Sequence, residues 1–288
     1  MKRLSFKKAD RARSLFIIGN TIFLSLLVIM MIIPVLKVLS DSFESWGSYG
    51  LNLIPLKPSW DAYKVIFTNQ GLYRPFLISL LVTTTGTFLA LFLTTLGAYV
   101  LTRKDMPGRG FFVYLILFTM IFNGGLVPRF MVVKGLGLTN TLWSVLLVGV
   151  IDTYFLILMK SFFEEIPQSL HESAEIDGCS PLGIFFRIML PLAKPALAAI
   201  GLFYLVQYWN DFFNYVMYIN NSNLYNFQVK LREMILTSDY NSAGQDIRVY
   251  GRSLQNAAII AGLLPVAIIY PFLQKHFVKG ITLGAVKG

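Results

Sequence analysis

The sequence predicts an all-α polytopic membrane protein with six transmembrane helices. Three observations predict it. Hydrophobic residues make up 55% of the chain and charged residues only 14%, against about 25% charged in an average soluble domain. Apolar stretches long enough to cross a bilayer recur along the chain. Basic residues gather in the N-terminal arm and in short loops between alternate stretches, which is the positive-inside pattern. No polar stretch is long enough to build a soluble domain beside them. The net charge of +10 reads as this membrane pattern, since no nucleic-acid motif accompanies it. The one cysteine, Cys179, has no partner for an internal disulfide and fits no metal pattern.

Each element follows from local composition. Residues 1–13 form a basic arm, with Lys2, Arg3, Lys7, Lys8, Arg11 and Arg13, and belong in the cytoplasm. The apolar run Leu15–Leu36 is too long for a signal-peptide core and is followed by no small-x-small cleavage site, so it is the first span, kinked near Pro34. Residues 37–75 form an outer loop rich in Trp and Tyr, with a short helix starting near Ser59. The second span covers Phe76–Thr102, where Gly86 and Gly97 permit close helix packing. Arg103, Lys104 and Arg109 mark the cytoplasmic loop after it. The third span is Phe111–Val127, ended by Gly124, Gly125 and Pro128, and the fourth is Thr139–Phe162. A polar stretch, 164–194, then returns to the cytoplasm. The fifth span is Ala196–Tyr218, residues 219–254 form an outer loop, and Ala257–Leu273 is the core of the sixth. Residues 14–279 thus form one membrane domain, with a cytoplasmic tail at 280–288 and both termini inside.

The polar stretch organises the rest. It reads LHESAEIDGCSPLGIFFRIMLP from Leu170 to Pro191. Glu172 and Glu175 are three apart and share a helix face. Ala174 is small and allows another protein to approach. Gly178 is a helix stop, and Ser180-Pro181 suits the start of a second short helix. The pattern Glu-x-Ala, three residues, Gly, nine residues, Ile-x-Leu-Pro is met by Glu172, Ser173, Ala174, Gly178, Ile188, Leu190 and Pro191. It resembles the EAA loop of permease subunits in binding-protein-dependent ABC importers, with Ser173 in place of the first Ala. The resemblance implies a MetI-like (type I) permease fold. It also implies a coupling helix over 170–178, seated in a cleft of an ATPase subunit and including Asp177. The end of the chain adds to it: Gly284, Val286, Lys287 and Gly288 resemble the tail of MalG-type sugar permeases, which enters the ATPase interface. Within that family the chain resembles the LplC/YtcP-like branch, associated with complex oligosaccharides including uronate-containing ones such as alginate fragments.

What the resemblance implies is an importer subunit translocating a sugar, and the branch implies an oligosaccharide. Its expected partners are a second permease, two ATPase subunits, an external solute-binding protein, the sugar and the bilayer. ATP and Mg would be used by the ATPase subunits, since this chain has no GxxxxGK[ST] loop. The chain itself would bind no cofactor or metal and would catalyse nothing. The expected fifth span carries Gln207, Asp211 and Asn214 at helical spacing, with Asn210 beside them and Tyr208, Trp209 and Tyr215 nearby. Polar groups at this depth avoid lipid. They either line the sugar pathway, with the aromatic rings stacking on sugar faces, or hydrogen-bond to another helix. The rival readings are weaker. A membrane enzyme would need a motif such as HExxH or GxSxG, and none is present; His171 and His276 are far apart for a metal site. An ion-coupled carrier would use Asp152 and Asp211, but it would leave the polar loop without a purpose.

Overall fold

The computed structural model describes the backbone of residues 3–44, 52–237 and 247–285, and side chains only within 13–271. Among these residues the regular structure is helical: α1 Arg3–Ser42, α2 Asp61–Thr68, α3 Gln70–Thr102, α4 Arg109–Ile121, α5 Leu126–Gly135, α6 Leu142–Leu147, α7 Thr153–Glu164, α8 Gln168–Ile176, α9 Pro181–Ile184, α10 Leu190–Leu192, α11 Lys194–Trp209, α12 Phe213–Tyr218, α13 Phe227–Thr237 and α14 Ile247–Ala285. A π-turn, Phe185–Met189, joins α9 to α10. The chain divides into two compact units. One comprises Met1–Asn69 with Met234–Ala261, the other Gln70–Glu233 with Gly262–Gly288.

In the first unit, the stretch 15–36 of α1 is predominantly apolar and exposes its large side chains, as a helix in lipid does. It runs helical through Pro34. Beyond α1, the Glu44 carboxylate is buried and accepts the backbone N–H of Leu56 (2.8 Å) and Lys57 (3.0 Å), which holds residues 56–57 beside the end of α1. Ser59 sits at the start of α2, where its hydroxyl accepts the Asp61 N–H at 3.0 Å.

In the second unit, α3 packs most extensively against α11 and α7. Among the described residues of the chain as a whole, three helices are long and apolar enough to cross a membrane as they stand: Arg13–Ser42, Gln70–Thr102 and Gly251–Pro271. The other expected spans are not continuous helices. The third becomes α4 and α5, which meet at 120° across residues 122–125. The fourth breaks between α6 and α7, where Gly149 turns the backbone at φ +84°. The fifth stops at Trp209 and resumes as α12. The outer loop is also partly helical, since α13 lies within it and α14 begins at Ile247.

Each break frees backbone groups, and an unpaired one away from water costs several kcal/mol. Side chains take them up. Asp152 caps α7 by accepting the N–H of Tyr154 (2.9 Å) and Phe155 (3.2 Å). Two tyrosines one turn apart on α11 reach across to the same break. Tyr204 Oη accepts the Asp152 N–H at 3.0 Å, and the Tyr208 hydroxyl donates to the Leu146 carbonyl at 2.9 Å. Tyr204 also meets Thr94 of α3 at 2.7 Å.

Tyr208 fits because α3 has a glycine opposite it. A Cβ at Gly86 would lie 2.8 Å from the Tyr208 ring, and the ring cannot simply swing away without losing Leu146. Gly86→Ala should therefore destabilise the protein by about 1–3 kcal/mol, the usual range for an overpacked core. The check is thermal unfolding in detergent. An unchanged midpoint would show that the ring relocates without loss.

Candidate functional site

The polar stretch folds as a short helix with a closed C-terminal end. α8 starts after Pro167 and its last residues are held by a Schellman arrangement: the Cys179 N–H donates to the Ala174 carbonyl at 2.9 Å and the Gly178 N–H to the Glu175 carbonyl at 3.0 Å. Gly178 has φ +78°, and nothing crowds the place where a Cβ would stand. The glycine is thus required by its backbone conformation rather than by space. Asp177 is the exposed C-cap residue. The chain then turns into α9, where Ser180 caps the helix by accepting the Gly183 N–H at 3.2 Å and Pro181 occupies the first turn.

The faces of α8 are unequal. Ala174 is its buried residue and joins the core cluster that includes Phe163, Ile184 and Phe185. Its small size therefore serves packing within this chain, not approach by a second protein as its size alone suggested. Ile188 and Leu190 are half-buried against the same cluster, while Pro191 is exposed. Glu172, Ser173 and Ile176 are exposed, Ile176 at 86%. One Glu172 oxygen accepts from Gln168 Nε2 at 2.8 Å.

Glu175 has a different task. Arg103, just past the end of α3, donates from Nη1 to Glu175 at 2.8 Å and to His171 Nε2 at 2.7 Å. Its Nε and Nη2 form a fork on the Asp105 carboxylate at 3.0 and 2.9 Å. The Asp105 and Glu175 carboxylates, in that order, push the Arg103 pKa up, so the guanidinium stays charged. The same bonds from Arg103 hold the Asp105 carboxyl below its ordinary value. Tyr99 Oη lies 3.2 Å from His171 Nε2 and from the Pro181 carbonyl. Nearby, Arg109 and Lys160 both donate to Glu164, at 3.0 and 2.7 Å. Arg103, Asp105, Glu164, His171 and Glu175 help to line a cavity of about 600 Å³ between the end of α7 and the start of α8. Sequence reasoning read Arg103 only as a topology marker and His171 only as a lone histidine. The pair is 68 residues apart, and no local spacing signals such a contact.

The expected pathway residues do not lie along one helix, because α11 ends at Trp209. Gln207 and Asn210 are exposed. Tyr208 and Trp209 are buried, and Trp209 Nε1 donates to the Gly262 carbonyl at 2.9 Å. Asp211 turns back to accept the Asn214 N–H at 3.1 Å and Asn214 Nδ2 at 3.0 Å, so this pair closes the start of α12. The Asp211 carbonyl accepts from Asn226. In the tail, Gly284 continues α14, whereas Val286, Lys287 and Gly288 lie outside the described residues. Among the described residues, no group of three or more His, Cys, Asp or Glu could hold a metal ion.

Residues 110–283 match the family described as binding-protein-dependent transport system inner membrane component. The chain is 42% identical over 274 residues to the polygalacturonan/rhamnogalacturonan transport system permease protein YtcP of Bacillus subtilis (strain 168), covering 92% of this chain and 96% of that protein. It is 38% identical to Protein LplC of the same organism, over 96% of this chain and 97% of the relative. A solved chain from a bacterial ABC transporter involved in the import of the acidic polysaccharide alginate has a TM-score of 0.86 at 28% identity, over 93% of this chain and 98% of that one.

The α8 end makes a separable prediction. Val at position 178 would carry a β-branched side chain at φ +78°, at a cost of about 1–2 kcal/mol. In Gly178→Val the Cys179 amide should exchange with solvent about tenfold faster, while Ser173→Ala leaves it unchanged. Equal exchange in both variants would show that the cap does not depend on the left-handed residue.

Proposed function

The chain belongs to the family of binding-protein-dependent transport system inner membrane components, and from that premise we propose that it is the permease subunit of an ATP-driven ABC importer of oligosaccharides. The observation that carries the reading is α8: a capped helix whose Glu172, Ser173 and Ile176 face outward between two apolar parts of the chain. On this reading α8 is the coupling helix, docked in an ATPase subunit. Two such subunits bind ATP and Mg, and their closure moves α8. A second, similar permease completes the passage, and an external solute-binding protein delivers the sugar. Both termini and α8 lie on the cytoplasmic side of the bacterial membrane, and the tail from Gly284 to Gly288 meets the ATPase pair.

We propose an acidic oligosaccharide as the cargo. Two things support this: a 42% identical relative is named for polygalacturonan and rhamnogalacturonan transport, and a solved chain of the same fold, 28% identical, comes from an importer of the acidic polysaccharide alginate. The breaks in the membrane helices support a polar passage, since irregular backbone at membrane depth is tolerated where it is buried in protein or lines a cavity. Gln207 and Asn210 are the best candidates to face it, being the pathway residues that remain exposed. The ion-coupled alternative loses its ground. It needs Asp152 and Asp211 to bind a cation, but Asp152 caps α7 by accepting two backbone amides and Asp211 accepts the backbone and side-chain amides of Asn214.

The test is purification of tagged chain from its native membrane, followed by identification of what accompanies it and an ATPase assay. A second permease and an ATPase should co-purify, and retention of the ATPase should fall in Glu172→Ala and Gly178→Val. Recovery of the chain alone, transporting under an ion gradient, would overturn the reading. In the intact importer, Gln207→Leu and Asn210→Leu should each lower uptake of labelled oligogalacturonide by roughly tenfold, the loss expected for one hydrogen bond to a polar cargo, with the ATPase still attached. Unchanged uptake would place both residues against the partner permease instead.

A further inference from the structure

The cluster around Arg103 has no part in the reading above. It involves no cofactor, and no sugar need reach it. Yet it spends more charge-assisted bonds on one side chain than any other cluster described in this structure. Arg103 uses four of its five donors: two on Asp105, one on Glu175 and one on His171. Asp105 lies in the same loop as Arg103, so the fork fixes the guanidinium relative to the end of α3. Glu175 and His171 lie four apart on α8, so the remaining two bonds grip one face of that helix. The guanidinium is therefore a rigid bracket between the last residue of a long membrane helix and the outward-facing helix α8.

The other links across this junction are weaker or lie elsewhere. Lys104 Nζ reaches Gln168 at 3.3 Å on the exposed rim. Tyr99 touches His171 and the Pro181 carbonyl at 3.2 Å through a neutral hydroxyl. Ala174 packs into the core but makes only dispersion contacts there. Beside the bracket is the 600 Å³ cavity lined by Arg103, Lys104, Phe163, His171, Glu175 and Met189 among others. Side chains that border a space of this size are not wedged against α8 on that side. The bonds of Arg103 to Glu175 and His171 run along one wall of this cavity and carry a push on α8 there.

We infer that Arg103 is a positioning residue that transmits displacement of α8 into α3, and through α3 into the α11 and α7 contacts of the membrane unit. The inference rests on α8 being the coupling helix. Lysine could not replace it: a point charge with three flexible donors does not hold a planar fork and two further acceptors at once. The charge itself is not at risk, because its carboxylate partners raise the Arg103 pKa.

The experiment is hydrogen–deuterium exchange on the complete importer in nanodiscs, with and without ATP-Mg and vanadate. In the unaltered protein, nucleotide should change exchange both in α8 and in the last turns of α3, residues 96–102. In Arg103→Gln the α8 response should persist while the α3 response shrinks about tenfold, the effect of losing one or two charge-assisted bonds. Arg103→Lys should fall between them, and it serves as the deciding variant if Arg103→Gln does not assemble. A purely structural role predicts a different result: faster exchange in α3 with and without nucleotide, and an unaltered nucleotide response. An α3 response equal to that of the unaltered protein in both variants would overturn the inference. Absence of any α8 response in the unaltered importer would instead overturn the coupling-helix reading on which it rests.

Discussion

Backbone groups in an apolar surround must find partners, and the arrangement of this chain depends on how that demand is met where its helices break. An uninterrupted helix meets it internally. Here α6, α7, α11 and α12 are short, and the segments between them leave amides and carbonyls with no helical partner. Asp152 covers two amides at the start of α7. Tyr204 and Tyr208 cover an amide and a carbonyl across the same gap. Asp211 and Asn226 do the corresponding work at the gap before α12. The polar residues of the membrane unit are thus largely committed to holding irregular backbone. That commitment also fixes which helices are neighbours, because Tyr204 and Tyr208 bind α6–α7 to α11 while Gly86 lets α3 close over the same ring.

The polar end of the molecule obeys the same demand in a different way. α8 closes its own carbonyls through the left-handed turn at Gly178, so it needs no neighbour to complete it. Its side chains are then free to divide between inward and outward tasks. Glu172 and Glu175 are alike in sequence and three residues apart, but only Glu175 meets Arg103. Glu172 remains on the exposed face with Ser173 and Ile176. An acidic pair that reads as one patch is in fact one tether to Arg103 and one group on the exposed face, which is the arrangement a helix needs if it is to be both anchored and docked.

Much of this was legible in the chain. The apolar stretches located α1, α3 and α14, because a uniform run of apolar residues leaves a helix no reason to stop. The spacing from Glu172 to Pro191 located α8, its glycine stop and the Ser180-Pro181 restart, because caps and stops are set by residues within one turn. The breaks were not legible. Residues 139–162 and 196–218 still read as spans by length and overall composition, and Gly149 or Asn210 is no stronger a signal than Gly97, which sits inside an intact helix. What separates them is whether a distant side chain is there to take the freed backbone group.

The same distinction holds throughout the molecule. Composition and local spacing suffice for a helical membrane protein, for its family pattern and for the cap on α8, since each depends on residues within a few positions of one another. The bracket formed by Arg103, the burial of Ala174, the commitment of Tyr208 and Trp209 to the interior and the division of labour between two glutamates all depend on partners tens of residues away. Only folding brings those partners within hydrogen-bonding distance, and a single hydrogen bond or a close ring contact is decided by tenths of an ångström that no one-dimensional pattern encodes.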